Sequence, residues 1–218
     1  METENRKLLI EGAHAFGVYL EEEAVRAFDL LLKELLKWNR KINLTAIRTE
    51  REIITKHFLD SLSIHPYLEK SVSLLDVGSG PGFPGIPLKI AKPALDITLI
   101  DAVRKKVDFQ RHVIRSLGLK GMEAIQGRIE DPETIRRMEG RFDRVVSRAF
   151  SSLPTFLHLA YPFLKRRGIA LVMKGGLRGE ETQTGIEGER DRFTLQRAVV
   201  FPLPFTSMKR TLLLFEKQ

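Results

Sequence analysis

Leu75-Asp76-Val77-Gly78-Ser79-Gly80-Pro81-Gly82-Phe83-Pro84-Gly85 is the stretch on which the reading of this 218-residue chain turns. An apolar run leads into it and a helix-forming segment leaves it. Glycines at 78, 80 and 82 let the backbone turn sharply and approach a ligand with no Cβ in the way. The dinucleotide fingerprint would place a glycine at 83, against a pyrophosphate, and Phe83 stands there. Pro84 and Pro87 also remove N–H groups that would bind phosphate oxygens. The alternative to a binding loop is a plain tight turn in a wound sheet.

Downstream of the loop, apolar runs at 97–101, 122–126, 142–147 and 169–174 repeat the run at 72–77. Helix-like segments fill the spaces, at about 84–92, 103–117, 132–139, 151–166 and 177–190. Near-continuous apolar runs separated by helices predict a parallel sheet covered on both faces. Runs at 193–201 and 208–215, joined through Pro202-Leu203-Pro204, leave no room for a crossover helix and predict an antiparallel pair at one edge. Residues 175–188, rich in Gly, Thr and Glu, read as a mobile loop. Upstream, 3–18, 21–41 and 49–62 read as helices. Ala24, Ala27, Phe28, Leu31, Leu32, Leu35 and Trp38 give the second one apolar face. The expectation is an α/β, Rossmann-like, mostly parallel seven-stranded sheet with an antiparallel edge pair. Residues 1–66 form an N-terminal helical extension packed on a ligand-binding core of residues 67–218.

Composition narrows the chemistry. Hydrophobic residues make up 43%, which suits a full core, and the absence of cysteine excludes disulfides, thiolate metal sites and a cysteine nucleophile. The polar start and the lack of any run near the ~20 apolar residues of a membrane span predict a soluble, cytoplasmic protein. The net charge of +8 is unevenly placed: residues 1–70 carry 11 Lys/Arg against 12 Asp/Glu, and residues 71–218 carry 25 against 16. Clusters at Arg104-Lys105-Lys106, Arg136-Arg137, Lys165-Arg166-Arg167 and Lys209-Arg210 fit either a polyanion partner or solvated helix ends.

A phosphate-free ligand with a nucleoside and an amino-acid tail, S-adenosylmethionine, fits the glycine loop. Asp76 is the candidate partner for its ammonium, with Gly78 and Gly80 giving close backbone approach. Asp101 closes the second run about twenty residues past the loop, where an acid accepts from both ribose hydroxyls. Ala102 and Val103 then lie beside the adenine. Asp101 as N-cap of the 103–117 helix is the competing reading. In Gly127-Arg128-Ile129-Glu130, Ile129 and Glu130 could pack on adenine and accept from its amine, or form an ordinary loop with Asp131 capping the next helix. Arg148, ending the fourth run, calls for a partner: the cofactor carboxylate, an RNA phosphate or a core acid. His57 and Asp60 lie three apart on one helix face, which is not a metal spacing and reads as a packing or capping pair. Trp38 could stack on RNA, but its place on the apolar stripe favours the core. No metal site is expected.

The residues Lys37-Trp38-Asn39, Ile42-Asn43-Leu44-Thr45-Ala46, His57-Phe58-Leu59-Asp60-Ser61-Leu62, the loop 76–85, Ser147-Arg148-Ala149 and Lys174-Gly175 resemble, in this order, one family. It is the small-subunit (16S) ribosomal RNA guanine-N7 methyltransferase family, first named for glucose-inhibited division protein B. The resemblance covers most of the chain, and its helical motifs are more particular than the glycine loop, which many methyltransferases share. It implies a methyltransferase sheet with a helical extension. It also implies cofactor contacts at Gly78, Phe83, Asp101–Val103, Ile129, Glu130 and Arg148. The substrate implied is 16S rRNA or the small ribosomal subunit. The chain is expected to act as a monomer and away from membranes. No catalytic residue is assigned; Arg148, Ser147 and Lys174 are positioning candidates because they end strands. Two other readings stay open: a methyltransferase acting on a small molecule or protein, and a non-enzymatic module binding a nicotinamide cofactor.

Overall fold

Helix α2 (Glu22–Ile42) forms where the apolar spacing predicts it, burying Val25, Phe28, Leu31, Leu32 and Leu35 on one face. It stops at Asn43, whose φ of 48° suits the residue best able, after glycine, to adopt a left-handed cap. Helix α1 (Thr3–His14) ends sooner than the expected residue 18, because Gly17 turns the chain at φ 71°. The third helical run is continuous: α3 (Glu50–Ile53), capped by the Thr49 side chain, passes through a π-helical turn (Ile54–Leu59) into α4 (Asp60–Leu62). This computed structural model describes residues 1–69, 72–148, 152–175 and 188–218.

The strands β1 (Ser73–Val77), β2 (Asp96–Asp101), β3 (Met122–Gln126), β4 (Phe142–Ser147), β5 (Leu164–Gly175), β6 (Phe193–Pro202) and β7 (Lys209–Lys217) form one sheet in the order β3-β2-β1-β4-β5-β7-β6. The first five run parallel, and β7 lies antiparallel to both β5 and β6, so the expected edge pair is present. From β1 the chain winds outward through β2 to β3, then returns to β4 on β1's other side. This reversal opens a crevice at the C-terminal ends of β1 and β4.

Neighbouring residues on each inner strand feed opposite cores, which is why the strands read as unbroken apolar runs. Leu74, Leu99, Val146 and Leu171 join α1, α2, α5 (Gly85–Ala91) and α6 (Arg104–Ser116) in one core. Leu75, Val145, Ala170 and Val172 join α8 (Leu153–Ala160) in the other, with Met138 of α7 (Pro132–Met138). The N-terminal helices thus share a core with one face of the sheet. Trp38 packs inward, its ring centroid 5.6 Å from that of Phe109 on α6 and 5.1 Å from His112.

The expected helix 151–166 is shorter in the structure. Helix α8 gives way to a 3-10 turn at Tyr161–Phe163, and Leu164 already pairs with Phe142 as the start of β5. Pro162 supplies no amide to extend a helix. Lys165-Arg166-Arg167 is therefore an exposed strand segment with Arg167 at φ 61°, not a helix end. Of the expected helix 177–190, residues 177–187 lie outside the described residues and 188–190 form a turn; the expected loop 175–188 also lies largely outside them. Ala149 and Phe150 lie outside them as well. Among the described residues, no helix is long and apolar enough to cross a membrane.

Candidate active site

The glycine loop leaves β1 and is tied down by β2. Gly78 and Ser79 donate their amides to the Ile100 carbonyl at 2.9 and 3.1 Å, and Gly80 donates to Asp101 Oδ2 at 2.9 Å. Gln110 of α6 reaches across to the Gly80 carbonyl at 2.6 Å and Ser79 Oγ at 2.8 Å. Gly78 and Gly80 sit at φ 64° and 58°, and a Cβ on either would meet no described atom within 4 Å. The loop therefore walls an open space. A cleft of about 230 Å³ lies there, lined by Val77, Gly78, Ile100, Asp101, Ala102, Gly127, Arg128, Ile129 and Glu130.

Asp101 is 7% exposed on the floor of this cleft. Besides the Gly80 amide it accepts the Val103 amide at 2.8 Å through Oδ1. It is not the N-cap: Val103 holds that position, without a side-chain cap bond. Each carboxylate oxygen can accept more than one bond, so Asp101 keeps acceptor capacity toward the cleft. Ala102 forms one flank and buried Ile129 another, while the 39%-exposed Val103 follows Ala102 outside the lining. Glu130 is exposed, 3.3 Å from Arg128.

Asp76 lies fully buried at the end of β1. Its Oδ2 accepts the Gly85 amide at 2.8 Å, whereas Oδ1 has no partner among the described residues. Burial raises its pKa to about 7, against the pull of the Gly85 bond and of Arg148's charge. An unpartnered buried carboxylate oxygen is costly, and a cation reaching it would remove that cost. Phe83 is 2% exposed and stacks on His57 with centroids 4.6 Å apart at 12°. Its side chain supports the loop from behind and does not line the cleft.

Arg148 reaches back to the π-turn. Nη1 donates to the Lys56 carbonyl at 3.1 Å and toward Asp60 Oδ2 at 3.5 Å, and Nη2 lies 3.0 Å from His57 Nδ1. The core-acid reading of Arg148 is thus the one the structure displays, with Asp60 as the acid. Arg210 of β7 holds the other oxygen of Asp60, Nε to Oδ1, at 2.8 Å. Around this carboxylate lies a cavity of about 360 Å³ whose wall includes Lys56, Arg148, Lys174 and Arg210. Ser147 is 1% exposed and donates to the Val77 carbonyl at 3.0 Å, binding β4 to β1 instead of facing the pocket.

Of the residues the sequence singles out, Gly78, Asp101, Ala102, Ile129 and Glu130 line one cleft, and Gly80 is bonded to Asp101 beside it. Arg148 and Lys174, read only as strand ends, line the cationic pocket. Lys56 and Gln110 carry no signal in the sequence, Arg210 is read only as part of a basic cluster, and His57 and Asp60 only as a packing or capping pair. Their three-residue spacing revealed a shared face, but the partner lies 88 residues from Asp60. The basic clusters split between the sheet's two ends. Arg104-Lys105-Lys106 opens α6 and Lys209-Arg210 opens β7, both at the crevice. Arg136-Arg137 closes α7, and Lys165-Arg166-Arg167 begins β5, at the opposite end.

Residues 24–213 match the model of the GidB family, rRNA small subunit methyltransferase G. A protein of Geobacter metallireducens named ribosomal RNA small subunit methyltransferase G is 45% identical, over 100% of this chain and 99% of its own. Its namesake in Geobacter sulfurreducens is 44% identical over 94% of each chain. Among solved structures, an S-adenosylmethionine-dependent methyltransferase from Aquifex aeolicus aligns with a TM-score of 0.57 at 16% identity, covering 75% of this chain and 92% of that one. TYW2 of M. jannaschii in complex with AdoMet aligns with a TM-score of 0.56 at 16% identity, over 72% and 73%. At such identities the structural likeness establishes the fold.

Proposed function

This chain belongs to the rRNA small subunit methyltransferase G family and is an S-adenosylmethionine-dependent rRNA methyltransferase; we propose that the atom it methylates is N7 of a specific guanine in 16S rRNA. The observation that carries the reading is the pairing, at one end of the sheet, of a cleft suited to a phosphate-free nucleoside with a cationic pocket.

Asp76 Oδ1, buried and unpartnered, would take the cofactor's ammonium. Asp101 would accept from the ribose hydroxyls while holding Gly80, and Gly78 and Gly80 give the backbone approach. Ala102 and Ile129 flank the place for adenine, with exposed Val103 next to Ala102 in the chain and Glu130 as acceptor for its amine. Phe83 holds the loop in shape. Arg148 stands between the two sites, its charge felt at Asp76 and its guanidinium on the wall of the cationic pocket. With Lys174 and Arg210 it would engage the RNA. Residues 1–66 act as an extension that completes this pocket, since Ile47, Lys56 and Asp60 line it.

S-adenosylmethionine supplies an electrophilic sulfonium methyl. Guanine N7 carries a lone pair that is unprotonated at neutral pH, so no base is required. The side chains best placed to act as one are otherwise engaged: His57 between Thr45 and Arg148, Asp60 between two arginines. The protein's contribution is then positioning, which can supply ~7–11 kcal/mol. A turnover rate nearly flat across neutral pH is expected, whereas a required base would give a rising limb. The test is to incubate the protein with labelled cofactor and small ribosomal subunits, then treat the RNA with borohydride and aniline. N7 methylation leaves a fixed positive charge on the ring and should yield one new cleavage site. Label without cleavage would assign a different atom, and activity insensitive to salt would favour a small-molecule or protein substrate.

A further inference from the structure

Two helical motifs lie outside the cofactor cleft, yet their side chains converge on Arg148. We infer that Asn39, Thr45 and His57 form a positioning relay that fixes the Arg148 guanidinium and the Phe83 ring for methyl transfer. The inference rests on the proposed function and extends the active machinery into the N-terminal helices.

The relay starts at Asn39, buried near the end of α2. Its Oδ1 accepts the Thr45 amide at 2.9 Å, and its Nδ2 donates to the carbonyls of Thr45 at 3.0 Å and Ile47 at 3.4 Å. The turn beyond Asn43 is thereby held at both its amide and its carbonyls. Thr45 Oγ1 accepts the Ile47 amide at 3.2 Å and lies 2.9 Å from His57 Nε2. On the far side of the ring, Arg148 Nη2 is 3.0 Å from Nδ1.

A guanidinium only donates, so Nδ1 must accept and the ring proton must sit on Nε2, donating to Thr45. The imidazole is therefore neutral and held by both nitrogens, with burial and Arg148's charge taking its pKa down to about 3. A neutral ring brings no counter-charge to the arginine, only one directed hydrogen-bond acceptor, so its contribution is direction. The same ring stacks on Phe83, and the Arg148 guanidinium lies 5.6 Å from the Phe83 centroid. One imidazole thus sets both the arginine at the end of β4 and the aromatic ring beneath the glycine loop. The π-turn makes this possible by aiming the Lys56 carbonyl, His57 Nδ1 and Asp60 Oδ2 at one guanidinium, and such turns often mark functional sites.

The test is a double-mutant cycle on methyl transfer to small ribosomal subunits. Thr45→Val should lower kcat about tenfold or more with the cofactor Kd within about twofold, because misplaced groups cost rate before binding. Thr45→Ser, which restores the hydroxyl, should recover it. On an Arg148→Lys background, Thr45→Val should cost less than about twofold further, since residues acting through one another are not additive. Multiplying losses, or a folded but inactive Thr45→Ser, would overturn the relay. Should Thr45→Val not fold, ¹⁵N NMR of His57 in the unaltered protein decides: a neutral ring protonated on Nε2 down to about pH 5 is expected, as its lowered pKa requires, and a charged ring or an Nδ1–H form overturns the inference. That readout needs no activity, so a wild-type protein that transfers no methyl would defeat the functional reading alone.

Discussion

The two ends of the sheet draw on the same kinds of residue and use them differently. At the N-terminal ends of the strands, charges find partners within the protein: Lys165 with Asp143 at 2.9 Å, Arg167 with Glu216 at 3.2 Å and Arg144 with Glu69 at 3.0 Å. At the C-terminal ends, an oxygen of Asp76 is buried without a partner among the described residues, and two arginines hold the carboxylate of Asp60 in a cavity that Lys56 and Lys174 also line. A cavity of about 470 Å³ opens at the N-terminal end, beside Ser73, Asp96, Thr98, Glu123 and Arg141, larger than the cleft or the cationic pocket. Volume alone would choose that end. Arg144 Nε is buried there without a partner among the described residues, as Asp76 Oδ1 is at the other end. Only the Asp76 oxygen lies at the root of the glycine loop and close enough to the cationic pocket to feel Arg148, where a ligand can satisfy it.

The largest effect that could break this contrast comes from two matched glycines. Gly80 at the crevice and Gly140 at the opposite end both have positive φ, 58° and 62°, with open space where a Cβ would point. Valine at either position should carry similar backbone strain, on the order of 1–3 kcal/mol. Gly80→Val should also lose S-adenosylmethionine by roughly 100-fold or more, the backbone no longer being able to approach it. Gly140→Val should lower the melting temperature comparably and leave affinity unchanged. Equal affinities by calorimetry in the two variants would end the assignment of the loop.

Asp101→Ala comes next. Removing charge-assisted bonds to the ribose should cost on the order of 1.5–3 kcal/mol of cofactor affinity. Part of any stability loss will come from the Gly80 and Val103 amides it holds. A sharp fall in melting temperature with affinity intact would reduce Asp101 to a loop anchor.

How far the sequence foretold these regions follows from the range of the forces involved. The glycine loop and Asp101 were legible because a turn, a strand end and a fixed spacing are local. The parallel sheet and its antiparallel edge were legible because burial on both faces writes itself as apolar runs. The start of β5 was not, since Leu164 alone pairs with Phe142 before the register shifts and pairing resumes at Ile169, leaving the charged 165–168 in an irregularity that no apolar run announces. Nor was the second pocket: Arg148 after β4 and Arg210 on β7 meet Asp60 of the third helical run, and no pattern along the chain records that.

Two aspartates sharpen the comparison through pH. At Asp143, burial is outweighed by the Ser73 hydroxyl and amide and by Lys165, and the pKa falls to about 2. Its contribution to stability is present above the ordinary carboxylate pKa and is lost as pH falls toward 2. Asp76 behaves oppositely. With its pKa raised to about 7, the folded cofactor-free protein holds a proton that the unfolded chain has released, so stability falls as pH rises from the ordinary carboxylate range to about 7. If the cofactor's ammonium pairs with ionised Asp76, affinity should tighten by up to about tenfold per pH unit as pH rises toward 7, then level off. Affinity independent of pH between about 5 and 7 would place the ammonium elsewhere.

The smallest effects concern the basic clusters, where the two ends make predictions of opposite sign. Arg104 and Lys105 are exposed in the first turn of α6, a turn with no acidic residue, although the helix dipole disfavours cations there by about 0.3–1 kcal/mol each. Arg136 and Arg137 occupy the last turn of α7, where the dipole favours them. Replacing Arg104 and Lys105 with glutamine should therefore raise the melting temperature slightly while weakening RNA binding roughly threefold to tenfold. The slope of log affinity against log salt should flatten by about 0.7–0.9 for each phosphate no longer neutralised. The same change at Arg136 and Arg137 should lower the melting temperature slightly and leave both RNA affinity and salt slope unaltered. Position at the crevice, not the number of charges, is what separates the pairs. If both flatten the salt slope equally, the positive excess attracts RNA as a diffuse field, and the division between the two ends does not extend to the substrate.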